Sequence, residues 1–205
     1  MGDINQNIFI NKVLKQKKFN KILEIGSKNY GNTQPFREIL DYEKYVGVDL
    51  SEGDGVDLIV NLEEELGPLS NERFDLIILC SILEHSKKPW KLGESISSVL
   101  SNDGILYSSH PWVWRYHKYP DDYFRFSPQG IKEIFSSIKF WLDPLYSTNK
   151  PGDFYSFTQN EEVDNHLSFI HPVSKVKYLP YLQTLMIGTN SKKVFDDLKK
   201  ENPEV

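Results

Sequence analysis

Residues 21–31, Lys21-Ile22-Leu23-Glu24-Ile25-Gly26-Ser27-Lys28-Asn29-Tyr30-Gly31, are an apolar run that stops abruptly in a turn rich in glycine and asparagine. Leu23 and Ile25 alternate with polar neighbours, as in a strand, and Gly26 permits backbone angles that a side chain forbids. Helical spacing follows from Gln34 to Leu40, which makes a strand, a glycine turn and a helix: half of a βαβ unit. In open α/β sheets the ligand lies just beyond the carboxyl ends of the strands, which places a nucleotide-sized pocket over Gly26.

The rest of the chain repeats this alternation. An amphipathic N-terminal helix over residues 4–18, with Ile4, Ile8, Val13 and Leu14 on one face, reads as structural. Tyr45 to Leu50 is a second strand, with Asp49 at its carboxyl end, and Val56 to Asn61 a third. Phe74-Asp75-Leu76-Ile77-Ile78-Leu79-Cys80 is the most apolar stretch and reads as a strand buried on both faces, hence near the sheet centre. A helix opens at Pro89 and stops at Asn102-Asp103-Gly104, a strand covers residues 105–109, and a helix capped by Ser127 runs to Ile138. Strands at 140–148 and 181–189 lack an intervening helix and are expected to pair antiparallel at one edge; a charged helix follows from Lys192. Strands joined by crossovers of this length predict a doubly wound α/β sandwich with a mostly parallel, seven-stranded, Rossmann-like sheet and an antiparallel edge strand. The length of 205 residues suits a single domain over 1–205, with residues 150–177 as an excursion or lid.

Charge and composition narrow the partners. A formal charge of −5 and no Lys/Arg run beyond short pairs give no attraction to a phosphate backbone, so nucleic acid is not an expected partner. No apolar stretch approaches the roughly 20 residues of a membrane span, and Met1-Gly2-Asp3-Ile4 lacks a signal-peptide layout. The single cysteine, Cys80, forms no internal disulfide, which fits the cytoplasm. No spacing of His, Cys and carboxylate residues suggests a metal, so none is expected. Oligomeric state is not legible.

Three strand ends converge on the pocket. The turn Gly26 to Gly31 offers backbone N–H groups, Asp49 can accept both hydroxyls of a ribose, and Asn61 and Leu62 can border an adenine. Lys28 occupies the place of the second glycine of a dinucleotide fingerprint, which disfavours NAD and FAD.

These residues, together with the block Ser81-Ile82-Leu83-Glu84-His85 directly after the central strand, resemble the class I S-adenosylmethionine-dependent methyltransferases over roughly residues 20–140. The resemblance implies S-adenosylmethionine as cofactor. It implies that Glu24 orients the glycine turn and that Gly26, Ser27, Lys28 and Asn29 lie beside the methionine part. It also implies that Asp49 and Leu50 lie at the ribose, Asn61 and Leu62 at the adenine, and Ser81 and Leu83 flanking the sulfonium. The first loop departs from the family's G-x-G-x-G, with Lys28 as a charge partner for the methionine carboxylate, and Asn61 stands where aspartate is frequent.

The polar-aromatic loop from His110 to Ser127 is similar to one in a bacterial subgroup that modifies small metabolites or surface-glycan precursors. It follows a strand beside Ser81 and should cover the pocket from the acceptor side. His117 or His110 is then a candidate general base for a hydroxyl acceptor, with Asp121 or Asp122 orienting the histidine or holding acceptor hydroxyls. Trp112, Trp114, Tyr119, Tyr123 and Arg125 are candidate acceptor contacts. Equally, the aromatic residues can be packing, and Arg125 can pair with Asp122 to brace the loop. The expectation is methyl transfer to a small polar acceptor; the alternatives are N-methylation of an amine or amide-like acceptor and a non-catalytic binding or scaffold protein.

Overall fold

A computed structural model describes residues 3–202 except Lys15, Asn32, Tyr119, Asn149, 157–168, 171–172, 174–176 and 179–180. Nine strands form one sheet: β1 (Lys18–Ile25), β2 (Asp41–Asp49), β3 (Leu58–Ile59), β4 (Phe74–Cys80), β5 (Leu100–Ser109), β6 (Pro111–Val113), β7 (Lys139–Ser147), β8 (Phe154–Ser156) and β11 (Leu182–Thr189). A separate two-stranded sheet pairs β9 (Phe169–Ile170) with β10 (Lys177–Tyr178). The main order is β3-β2-β1-β4-β5-β11-β7-β8, with β6 also on β11. The first five are parallel neighbours, and β11 runs antiparallel to both β5 and β7. The two short strands β6 and β8 add to the seven expected, and β8 closes the far edge antiparallel to β7.

The alternation of side chains along β1 and β4 explains the two cores. Ile22, Leu76 and Ile78 point to one face, where they pack with Phe9, Ile10, Val13 and Leu14 of α1 (Ile4–Leu14), with Phe36 of α2 (Phe36–Ile39) and with Leu198. Leu23, Ile77 and Leu79 point to the other, against Leu92, Ile96 and Val99 of α3 (Pro89–Val99) and Ile131 and Phe135 around α4 (Pro128–Ile134). Leu198 lies on the charged C-terminal helix α5 (Lys192–Glu201), its only buried residue. Both faces of β4 are thus covered, the requirement for a central parallel strand.

Several boundaries differ from the sequence reading. The N-terminal helix ends at Leu14, and its buried stripe is Asn5, Gln6, Phe9, Ile10, Val13 and Leu14, with Ile4 exposed. Asn5 is buried because its carboxamide donates to the carbonyls of Thr148 and Lys150 and accepts from Gly152 N–H. The helix expected from Gln34 to Leu40 is a single turn: Pro35 is its N-cap and Leu40 is already extended into β2. The third strand shrinks to two residues. Helix α3 stops at Val99, and Asn102-Asp103-Gly104 lies within β5, where the register against β4 shifts between Phe74 and Leu76. Ser127 caps α4 as expected, its Oγ accepting from Gly130 N–H at 3.2 Å. Most of the expected lid over 150–177, with His166 and His171, falls outside the described residues.

At Gly47 on β2 the turn that follows the strand lies close against the backbone. A Cβ there would run into the Gly55 carbonyl oxygen and lie 2.6 Å from Ser27 Oγ. Because the obstacle is backbone, relief requires moving the turn itself. We expect Gly47→Ala to lose about 1–3 kcal/mol, read as a lower denaturant midpoint with an unchanged m-value.

Candidate functional site

The carboxyl ends of β1, β2, β4 and β5 open into a cavity of about 970 Å³, at the upper end of small-molecule sites. Gly26, with φ +75°, turns the chain away from β1, and its N–H and that of Ser27 bond back to the Val48 carbonyl. A Cβ on Gly26 would occupy the space of the Ile82 side chain, so only glycine lets these two loops meet over the sheet. Asp49 ends β2 with its carboxylate fixed: Oδ1 accepts from Leu50 N–H at 2.7 Å and Ser51 N–H at 3.3 Å, and Oδ2 from Lys28 N–H at 3.3 Å. A carboxylate has about four lone-pair sites, so acceptor capacity remains toward the cavity. Asn61 accepts from Glu63 N–H through Oδ1, which leaves its NH2 for a ligand, and Leu62 lies beside it. These groups fit an adenosyl ligand. Lys28 Nζ donates to Ser51 Oγ at 3.1 Å, on the Asp49 side of the turn.

At the end of β4, Ser81 takes φ +55°, rare for a residue with a side chain. Its N–H bonds to Ser109 O, and its Oγ accepts from Gln6 at 3.2 Å and Gln183 at 3.4 Å. The N-terminal helix, read as merely structural, therefore braces the cavity floor. The next turn brings Glu84 and His85 to the cavity wall. His117 arrives from the loop after β6, its ring edge-on to His85 with centroids 5.0 Å apart.

Of the residues singled out from sequence, Gly26, Lys28, Asp49, Leu50, Asn61, Leu62, Ser81, Trp114 and His117 line this cavity together. Others are placed elsewhere. Ser27 and Asn29 face a smaller cavity of about 50 Å³ across the glycine turn. Leu83 is wholly buried in the core. Glu24 points to β2, where Tyr45 donates to Oε2 at 2.5 Å, and does not reach the cavity. His110 is fully buried behind Glu84, with Nδ1 3.3 Å from Glu84 Oε2 and Nε2 3.0 Å from Ser108 Oγ, so it cannot touch an acceptor. Asp122 is also withdrawn: Arg125 grips both its oxygens, and the guanidinium holds its carboxyl down to about 2. It bonds His117 N–H at 2.7 Å and lies 3.4 Å from His117 Nδ1, which makes it a positioning group. Arg125 further donates to the carbonyls of Trp114, Arg115 and Phe124, so it braces the loop. Asp121 accepts from Tyr123 at 2.9 Å; these two and Trp112 lie outside the cavity lining. Tyr119 lies outside the described residues.

Sequence reasoning missed Glu84, Asp3, Tyr181 and Gln183 as lining residues. Glu84 was in plain view beside His85. Tyr181 packs edge-on against Trp114 at 4.4 Å and accepts from Gln183; Tyr181 immediately precedes β11 and Gln183 is its second residue. Burial raises the Asp3 carboxyl, and burial lowers the His117 ring, against the pull of Asp122.

Burial also pushes the Glu24 carboxyl up to about 7, against the opposing pull of Tyr45 and Arg37. A raised folded pKa means stability present in full below the unfolded value near 4.5 and lost as pH rises through about 7. We expect unfolding free energy to fall by about 1–3 kcal/mol between pH 5 and 8 from this group. Glu24→Gln should flatten that slope in denaturant titrations at the two pH values.

The parallel core with an antiparallel β11 inserted beside β5, and a ligand cavity at the β1, β2 and β4 ends, defines the class I methyltransferase fold. Residues 23–108 match the methyltransferase domain family Methyltransf_11, and the chain is an S-adenosylmethionine-dependent methyltransferase. No curated protein matches its sequence. Solved structures agree on the fold at low identity. A SAM-dependent methyltransferase from Archaeoglobus fulgidus is 15% identical, with TM-score 0.56 over 89% of this chain and 90% of that one. The N-methyltransferase NodS from Bradyrhizobium japonicum in complex with S-adenosylhomocysteine is 11% identical, with TM-score 0.56 over 91% and 86%. The StiE O-MT, residues 961–1257, is 14% identical, with TM-score 0.53 over 98% and 81%. No helix among the described residues is long and apolar enough to cross a membrane.

Proposed function

We propose that the chain transfers the methyl group to a hydroxyl of a small polar acceptor, such as a sugar, a glycan precursor or a small metabolite. The observation that carries this reading is the polarity of the larger cavity. Asp49 and Asn61 stand at one end, and Glu84, His85 and His117 at the other, beyond Ser81. S-adenosylmethionine supplies, when bound, an electrophilic methyl group on a sulfonium sulfur. Asp49 accepts the ribose hydroxyls, Asn61 and Leu62 border the adenine, and the Gly26 turn and Ser81 lie beside the methionine part. His117 and its neighbours hold the acceptor oxygen in line and receive its proton. Trp114, Tyr181 and Pro111 wall the acceptor end from water.

The reading keeps the chain as a single domain, supported by one continuous sheet from β3 to β8, and places it in the cytoplasm, where the buried Cys80 stays a thiol because burial raises it well above the ordinary range. The test is transfer of labelled methyl from S-adenosylmethionine to a panel of sugars, phosphorylated metabolites and amines. Label held in an ether on hydroxyl acceptors, and lost in His117→Ala, supports the reading. Label on amines alone, unaffected by substitution of His85 or His117, favours the second reading, N-methylation, which is the activity named for NodS.

A further inference from the structure

We infer that Glu84, His85 and His117 form a binding site for one divalent transition-metal ion at the acceptor end of the cavity, with its remaining coordination positions open to the acceptor oxygen. One ligand atom from each residue lies within 4.8 Å of the other two. Side-chain shifts under about an ångström would bring all three onto an ion at about 2.1 Å. The Glu84 side chain is completely buried, yet its Oε1 has no hydrogen-bond partner among the described residues. A buried carboxylate oxygen without a partner is costly, and an ion in the cavity would satisfy it.

The histidines are prepared in the way metal ligands are. His85 Nδ1 meets the Asp121 carbonyl, which can only accept, so the proton sits on Nδ1. That leaves the lone pair on Nε2, which lies 3.7 Å from Glu84 Oε1. His117 Nδ1 lies 3.4 Å from the Asp122 carboxylate and 3.5 Å from the Arg125 guanidinium that clamps it, so both outer partners sit on Nδ1 and Nε2 is the nitrogen left for an ion. The second oxygen of Glu84 faces His110 Nδ1 at 3.3 Å. Both histidines thus have their second ring nitrogen engaged by an outer partner, the arrangement that fixes orientation at metal centres. This accounts for Asp122, a residue near the site that never touches the cavity. Two imidazoles and one carboxylate suit Zn, Mn, Fe, Co or Ni better than Mg or Ca. Adjacent residues 84 and 85 joined by a distant 117 have no spacing signature, which is why the sequence suggested no metal.

The acceptor role of the ion rests on the hydroxyl reading above. With the ion in place the His117 lone pair is taken up as a ligand, so the acceptor proton leaves to solvent rather than to His117; the oxygen lone pair forms the new C–O bond, and the C–S bond breaks with its pair retained by sulfur, with no oxidant or reductant needed. The test is titration of untagged, chelator-treated protein with Co2+, followed by visible absorption and calorimetry, with S-adenosylhomocysteine titrated alongside. We expect one saturable equivalent with ligand-field bands. His117→Ala and Glu84→Gln should weaken it by at least about tenfold, and Asp122→Asn by about 10–100-fold, while affinity for S-adenosylhomocysteine holds. No saturable Co2+ binding, or equal binding in the His117 and Glu84 variants, overturns the site. Loss of S-adenosylhomocysteine binding in the unsubstituted protein would instead overturn the placement of the cofactor, and turnover indifferent to chelation the acceptor role.

Discussion

Asp49→Ala is expected to weaken S-adenosylhomocysteine binding by about 100-fold, or about 2.7 kcal/mol, the loss of two hydrogen bonds to a charged acceptor. The size follows from preorganisation. The carboxylate is already held by the N–H groups of Leu50, Ser51 and Lys28, so little ordering remains to offset the gain on binding. Asp49→Asn keeps one acceptor oxygen and should fall between the two. Asp49 is only half-buried at the mouth of the cavity, so thermal stability should move far less than affinity. Calorimetry separates the two effects, and equal affinity in Asp49→Ala would remove this residue from the ribose.

Arg125→Ala is expected to release the acceptor loop while leaving the cofactor half intact. Arg125 is the hub of that loop, donating to both Asp122 oxygens and to three backbone carbonyls across residues 114–124. Without it the Asp122 side chain, 2% exposed, is a buried charge with no partner of opposite sign. Breaking a buried pair on one side costs about 3–5 kcal/mol, and because Arg125 is itself a quarter exposed, solvent screening reduces this to about 2–3 kcal/mol here. Local undocking is the cheaper response than global unfolding, because the loop lies outside both core clusters apart from the contact of Phe126. Limited proteolysis should therefore cut within 112–126, and kcat/KM should fall by about 100-fold as His117 loses its position. S-adenosylhomocysteine affinity should hold, because the donor half is carried by β1, β2 and β4. Arg125→Lys should rescue only in part, since an ammonium cannot offer the planar fork. Protease resistance equal to the unsubstituted protein would contradict the bracing role.

Of the residues proposed for the donor half, those that line the cavity were legible in the sequence where they follow directly on a strand that announces itself. Alternation in residues 22–25 and the apolar run 74–80 fix where Gly26 and Ser81 fall, and parallel pairing brings the strand ends to one edge. The acceptor half was not, because it is assembled across the chain: Gln6 on the first helix, Glu84 and His85 after β4, His117 in a loop, and Tyr181 and Gln183 on the last strand. Polarity alone could not separate a histidine that faces the cavity, His117, from one packed behind a carboxylate, His110. The short α2 and the early start of β5 were misread for a related reason. Pro35 and Gly104 are ambiguous punctuation, and tertiary pairing decided between stopping a helix and entering a strand.

The most direct measurement is a crystal structure of the complex with S-adenosylhomocysteine. The account predicts ribose hydroxyls on the Asp49 carboxylate, adenine between Asn61 and Leu62, and the sulfur beyond Ser81, facing Glu84, His85 and His117 across the acceptor space. A ribose bound away from Asp49, or a sulfur turned from the three residues toward the smaller cavity at Ser27, would contradict it.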